Sequence, residues 1–194
     1  MLFRSGESAA AWARGAADPP KNGDRLEAAC RKILAPLRQD RGVAPGPVLD
    51  EVEAIADDAL GVRRCAEKLQ SGLARTVALR REVLPRLSVQ SPSRRYNLEW
   101  IQALQLENQL FCLEAALRAA LERSESRGQH WRSDFEGLDN RRWLCRLHFE
   151  NRGQELTIRH RMPCCDGLEP PVQNYPGVLD YAVDCRRQER KDPQ

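Results

Sequence analysis

The sequence predicts a mainly α-helical protein, in which an up-down-up three-helix bundle is followed by a small β-hairpin and an extended C-terminal arm. Three observations carry this. Leu106, Leu110, Leu113, Leu117 and Leu121 recur at steps of three and four, which places them on one side of an α-helix as an apolar stripe that needs a partner. Proline and glycine clusters cut the chain upstream of that stripe into lengths suited to two further helices. Downstream of Asp139 the period changes from helical to alternating, with Trp143, Cys145, Leu147 and Phe149 interleaved with Leu144, Arg146, His148 and Glu150, as in a strand.

In chain order, residues 5–14 are alanine-rich and helical in propensity, and Asp18-Pro19-Pro20 with Asn22-Gly23 cuts them off. Asp24 is a suitable N-cap for a helix to residue 38, with Leu26, Ala29, Ile33, Leu34 and Leu37 on its apolar side. The cluster from Gly42 to Pro47 then breaks the chain, and a domain boundary is expected there. Residues 48–60 form the first bundle helix through Val48, Val52, Ile55, Ala56 and Ala59, ended by Gly61. Residues 64–84 form the second, with Leu69, Leu73, Val77 and the stem of Arg80 facing inward, and Pro85 marks its end. Gly72 weakens its middle by ~1 kcal/mol of propensity.

After the turn Ser91-Pro92-Ser93, residues 97–123 make the spine of the bundle. Gly128 is expected to stop that helix in a left-handed conformation, with Arg123, Arg127 and His130 near its carbonyl end. In the hairpin, Asn151-Arg152-Gly153-Gln154 turns, and Leu156 and Ile158 alternate with Thr157 and Arg159. Pro163, Pro170, Pro171 and Pro176 describe the extended arm. The expected organisation is residues 1–44 as an N-terminal helical segment, 45–140 as bundle and polar corner, 141–180 as hairpin and arm, and 181–194 as a disordered tail.

At 194 residues with 41% hydrophobic and 30% charged side chains, the chain can bury one core. No run approaches the ~18 apolar residues of a membrane span, and no basic-apolar leader opens the sequence, so direct membrane insertion is not expected and the setting is expected to be cytoplasmic. A net charge of +3 gives no reason to expect nucleic acid as a partner. Seven cysteines in that setting read as reduced thiols.

Two constellations could carry chemistry. Cys145, His148, His160 and Cys164 bracket the hairpin at spacings compatible with zinc, but strand alternation points Cys145 and His148 to opposite faces, so no metal site is expected. The other is the polar corner past the spine helix. There Ser126-Arg127-Gly128-x-His130-x-Arg132-x-Asp134 is followed by Asp139 and Trp143. Its arginines either present forked donors to a partner surface or close locally, Arg132 on Asp134 and Arg127 on Glu125. Trp100, Trp131 and Trp143 read as core or interface packing.

That corner, the segment Arg95-Tyr96-Asn97-Leu98-Glu99-Trp100-Ile101-Gln102-Ala103-Leu104 and the stretch Leu84-Pro85-Arg86-Leu87-Ser88-Val89 together resemble the C-terminal helical domain of the succinate dehydrogenase and fumarate reductase flavoproteins, with L-aspartate oxidase more distant. The likeness covers roughly residues 45 to 175, with Gln129 where the family carries a small residue and Glu136 where it carries proline. Residues 5–14 also look like the last helix of the family's FAD-binding domain, which implies a chain that begins inside a domain continued elsewhere.

The resemblance implies FAD in the parent family but none on this chain, since no Gly-x-Gly turn for a pyrophosphate occurs. No catalytic residue carries over. The expected role is non-catalytic: to buttress a flavin domain or subunit, with Ser126, Arg127, Gly128, His130, Arg132 and Asp134 as the candidate interface and an iron–sulfur subunit as a further implied partner. The rival expectations are a helical interaction or zinc-binding module without redox activity, and a gene fragment.

Overall fold

The computed structural model describes residues 3–16, 23–152, 155–163, 173–177, 180 and 184. It is mainly helical, with one small antiparallel hairpin. The chain divides into two compact units, residues 1–34 and 35–194. The first holds α1 (Phe3–Gly15) and most of α2 (Gly23–Arg38). Asp24 lies in the first turn of α2 rather than ahead of it.

In the second unit the core is shared by α3 (Pro45–Leu60), α4 (Ala66–Ala78) and α5 (Leu98–Glu122), each of which touches the other two. Buried Val48, Val52, Ile55 and Ala59 of α3 meet Leu69 of α4 and Ala103, Leu106, Leu110, Leu113, Leu117 and Ala120 of α5. The expected leucine stripe is therefore the core of α5, except at its last member. Leu121 is half-buried, and Ala120 continues the three-four spacing in its place.

Two helix boundaries differ from expectation. Helix α3 begins at Pro45, inside the proline-glycine cluster, because prolines in a first turn lose no hydrogen bond: those N–H groups have no intrahelical acceptor. The second helix is regular only to Ala78. It then widens over Leu79–Val83, where Leu84 N–H reaches back five residues to Leu79 O, and closes in a tight turn over Leu84–Arg86. Pro85 is the physical cause at hand, since it has no N–H to give and its ring crowds the preceding turn. The widened turn brings Arg80 against Glu114 of α5, a buried carboxylate that also accepts from Arg118 Nε at 2.9 Å.

The Gly42–Pro47 break is pinned rather than free. Val43 N donates to Arg86 O at 2.9 Å and Ser88 N to Val43 O at 3.0 Å. At Gly42 a Cβ would lie 2.2 Å from Arg86 O, so no side chain fits.

The hairpin is present as β3 (Arg146–Arg152) and β4 (Glu155–Arg161), in a register that pairs Phe149 with Ile158 and Leu147 with His160. Cys145 sits ahead of β3, after the short helix α6 (Asn140–Trp143). Of the expected arm, residues 173–177 are described, and Tyr175 exchanges both backbone hydrogen bonds with Leu138 at 2.8 and 2.9 Å. Gly153 and Gln154 of the expected turn, residues 164–172 of the arm and nearly all of the tail lie outside the described residues. Among the described residues no helix is long and apolar enough to cross a membrane.

On the inward face of α4, Leu69, Gly72 and Thr76 are buried, Leu73 packs partly buried against the same core as expected, and Val77 flanks them partly buried. Thr76 is satisfied by its own helix, donating to Gly72 O at 2.8 Å. Gly72 is where α4 approaches its neighbours closest: a Cβ there would stand 2.8 Å from Ala59 Cβ and 3.4 Å from Ile55 and Leu117. Gly72→Val should therefore destabilise the fold by about 2 kcal/mol, the scale of an overpacked core. Urea denaturation would check it, and a stability equal to the wild type would mean that α3 and α4 are not in this contact.

Candidate functional site

Helix α5 ends at Glu122, with Arg123 extended behind it. Gly128 does not end the helix, as its position five residues further on already implies. Arg127 and His130 exchange backbone hydrogen bonds of 2.8 and 2.9 Å, so Gly128 and Gln129 are the two central residues of a tight hairpin turn. Gly128 has φ +56° and Gln129 keeps a negative φ, the arrangement that puts glycine first in a type II′ turn. Leaving the turn, Trp131 and Arg132 form β2, paired in parallel with Arg63 and Arg64 of β1. The corner thereby joins the end of α5 to the start of α4.

Two buried charges organise it. Arg132 is 1% exposed, and each of its three guanidinium nitrogens has an acceptor. Nε and Nη2 form a fork on Asp134, each bond 2.7 Å long, while Nη1 donates to Ala120 O at 2.7 Å among the carbonyls that end α5. Those carbonyls have no partner within the helix, so the arginine serves as its cap and meets the negative end of its dipole. Asp134 passes the linkage on by accepting from Ala66 N, the first residue of α4, at 3.0 Å. The Arg132 fork, helped by the Ala66 amide, holds this carboxyl down at about 2.

The second charge is Glu125, also 1% exposed. It accepts from Arg123 Nη1 at 2.6 Å, from Arg127 Nε and Nη2 at 2.7 and 2.9 Å, and from Asp139 N at 2.9 Å. Arg123 then reaches the carbonyls of Trp143 and Cys145 at 2.7 and 2.8 Å, and Arg127 reaches Asn140 Oδ1 at 2.8 Å. Asn140 in turn donates to Gln173 O at 2.7 Å, which ties in the C-terminal arm. Buried Ser126 closes the loop by accepting from Arg132 N at 2.8 Å and donating to Phe135 O at 2.7 Å.

The expected site residues thus gather at one place but divide by exposure. Ser126 and Arg132 are buried, Arg127 and His130 partly so, and Gly128 and Asp134 are exposed. The local pairs Arg132–Asp134 and Arg127–Glu125 are both formed. A count of nearby acids suggests that donors outnumber acceptors, but backbone carbonyls take up Arg123 and Arg132. Glu125 as a hub, with Arg123 as its second partner, goes beyond the expected Arg127–Glu125 pair. Two acids set among three arginines between residues 123 and 134 are the available signal.

Trp131 and Phe135 stand on the outside of this frame, 45% and 42% exposed. Arg63 lies over the Trp131 ring at 6.0 Å and Arg132 over the Phe135 ring at 4.9 Å. Of the zinc-spaced residues, the structure brings Cys145 and His160 together at 3.9 Å, leaves His148 exposed on β3, and does not describe Cys164. Among the described residues no group of three or more His, Cys, Asp or Glu is arranged to hold a metal.

His130 links the corner to β1. Its Nδ1 lies 3.1 Å from Arg64 Nη1, which can only donate, and its Nε2 lies 3.1 Å from Arg123 O, which can only accept. The neutral ring with hydrogen on Nε2 is the one form that satisfies both. Burial, followed by the charges of Arg64, Arg132 and Arg123, accordingly pushes the imidazole below its ordinary 6.5 against the opposing pull of the Arg123 carbonyl. A group whose folded pKa is depressed contributes stability that is present above its unfolded pKa and lost as the pH falls through it towards the folded value. Melting temperature should therefore drop as the pH is lowered from 6.5. His130→Gln, which can make both bonds without titrating, should show a smaller drop over that window. Parallel curves for the two proteins would contradict this placement of His130.

The family model for the fumarate reductase flavoprotein C-terminus matches residues 49–175. The succinate dehydrogenase flavoprotein subunit of Coxiella burnetii is 31% identical over 124 residues, which is 64% of this chain and 21% of that protein. The structure of the Mycobacterium smegmatis Sdh1 complex in its apo form is similar with a TM-score of 0.73 at 28% identity, over 81% of this chain and 27% of that one. The quinol fumarate reductase of E. coli shares the fold with a TM-score of 0.75 at 22% identity, over 86% of this chain and 29% of that one. This chain therefore spans less than a third of the length of the relatives it matches. The match over residues 49–175, more than half of the sequence, shows that the chain belongs to the fumarate reductase flavoprotein C-terminal family.

Proposed function

We propose that this chain acts as the non-catalytic C-terminal domain or subunit of a succinate dehydrogenase or fumarate reductase-type flavoprotein oxidoreductase, with α3, α4 and α5 as an up-down-up bundle that buttresses a flavin domain supplied elsewhere. Family membership supports the setting. The observation that carries the role is the outward display of Trp131 and Phe135 on a corner whose own charges are internally satisfied. Exposed aromatic rings on a rigid frame are the side chains that anchor interfaces, because they bury a large area at little cost in conformational entropy. In this reading Ser126, Arg127, Gly128, His130, Arg132 and Asp134 remain the interface element. The buried members fix its shape, and the exposed rim makes the contact. An iron–sulfur subunit is a further partner of the assembled enzyme.

The flavin belongs on the other side of that contact. A dinucleotide site needs a strand that enters a helix through glycines, so that free amides at the helix start can hold a pyrophosphate. Where a strand runs into a helix here, from β1 into α4, the connecting residue is Cys65 and the Ala66 amide is already taken by Asp134. The residues at this junction do not fit the group.

The test is co-expression of the chain with the flavin-binding part of a succinate dehydrogenase flavoprotein from which the C-terminal segment has been removed. The two should co-elute from a sizing column with flavin absorbance in the shared peak. Trp131→Ala and Phe135→Ala should each weaken the association about tenfold or more, the loss expected of an aromatic anchor, with little change in melting temperature. Failure to co-elute, or unchanged affinity in both variants, would overturn the role.

A further inference from the structure

Three side chains far apart in the sequence meet beside the hairpin: Glu122 at the end of α5, Cys145 in the bend after α6, and His160 on β4. Cys145 Sγ lies 3.9 Å from His160 Nδ1, and His160 Nε2 lies 3.1 Å from Glu122 Oε1. An ionised carboxylate only accepts, so Nε2 carries the ring hydrogen, and in the neutral form of the ring the lone pair of Nδ1 faces the thiol. Among the described residues the S–H also reaches the Arg142 carbonyl, at 3.9 Å. The imidazole rests against buried Trp143, with ring centroids 5.4 Å apart, which restricts its rotation. Cys145 is half-buried, and the His160 and Glu122 side chains are nearly half exposed. Small solutes can reach the sulfur.

A thiol whose base is itself oriented by a carboxylate is the arrangement of an activated nucleophile. We propose that Cys145 is such a nucleophile, with His160 as its base and Glu122 as a positioning residue, and that its co-reactant is hydrogen peroxide. Peroxide needs no enclosed cavity, and its reduction needs both a proton acceptor and a proton donor, which one imidazole supplies in turn. His160 Nδ1 takes the thiol proton. The sulfur attacks one peroxide oxygen, the S–O bond forms as the O–O bond breaks, and the departing hydroxide recovers the proton from Nδ1 as water. Cys145 is oxidised by two electrons to the sulfenic acid while peroxide is reduced to water.

The experiment treats the full chain with hydrogen peroxide in the presence of dimedone, which traps sulfenic acids, and follows labelling of each cysteine by peptide mass spectrometry. Cys30 and Cys112 are exposed and serve as internal references. Cys145 should be labelled about tenfold or more faster than either, the scale on which a paired base raises thiol reactivity. His160→Gln should bring it to the reference rate, and Glu122→Gln, at an exposed helix position, should fall between. A wild-type Cys145 no faster than Cys30 and Cys112 would overturn the proposal, as would full reactivity in His160→Gln. A Glu122→Gln rate equal to the wild type would remove Glu122 from it.

Discussion

The fold turns on the burial of Arg132. A guanidinium taken out of water costs several kcal/mol unless its donors are satisfied, and here its acceptors are the terminal carbonyls of α5 and the carboxylate of Asp134, which in turn accepts from the first amide of α4. The helix end and the helix start are therefore stabilised by the same group. Glu125 does the same in the other direction, joining the end of α5 to α6 and through Asn140 to the arm. Removing Asp134 would leave buried Arg132 without its counter-ion, and removing Glu125 would do the same to Arg123 and Arg127. That is why the corner should behave as a unit rather than as a sum of surface ion pairs, each of which would contribute little.

Most of the core was legible in the sequence because its signal is periodic. Leu106, Leu110, Leu113 and Leu117 could have been assigned from spacing alone, and the change of period after Asp139 located the hairpin. What escaped were features whose causes are not periodic. Gly72 looks like a helix weakener until the neighbouring Ala59 is in place, and Pro45 looks like a breaker until it becomes the first residue of a helix. Gly128 looks like a helix stop in the sequence because glycine in the left-handed region serves both purposes, and only the pairing of Arg127 with His130 separates a cap from a turn.

At the corner, the pairs Arg132–Asp134 and Arg127–Glu125 were both within reach of sequence reasoning, since partners two residues apart can close locally. The balance of donors and acceptors was not. It depends on carbonyls at the end of α5, which carry no side-chain label. With Arg123, Arg127 and Arg132 paired inside the chain, the surface proposed for a partner is aromatic: Trp131 and Phe135, both exposed. The shift matters for the family role proposed above, because contacts built on rings depend less on salt than contacts built on exposed charge.

The most direct measurement of the account is native-state hydrogen exchange at the corner amides. If Arg132 and Glu125 lock the end of α5 to α4 and to α6, then the N–H groups of Ser126, Arg132, Ser133 and Asp139, bonded to Gly137 O, Ser126 Oγ, Arg64 O and Glu125 Oε2, should open only with the whole domain. Their exchange free energies should then match those of core amides at Leu110 and Leu113, as expected of one cooperative unit. Exchange at these positions much faster than at the α5 core would show that the corner opens by itself, and would contradict the claim that the fold depends on it.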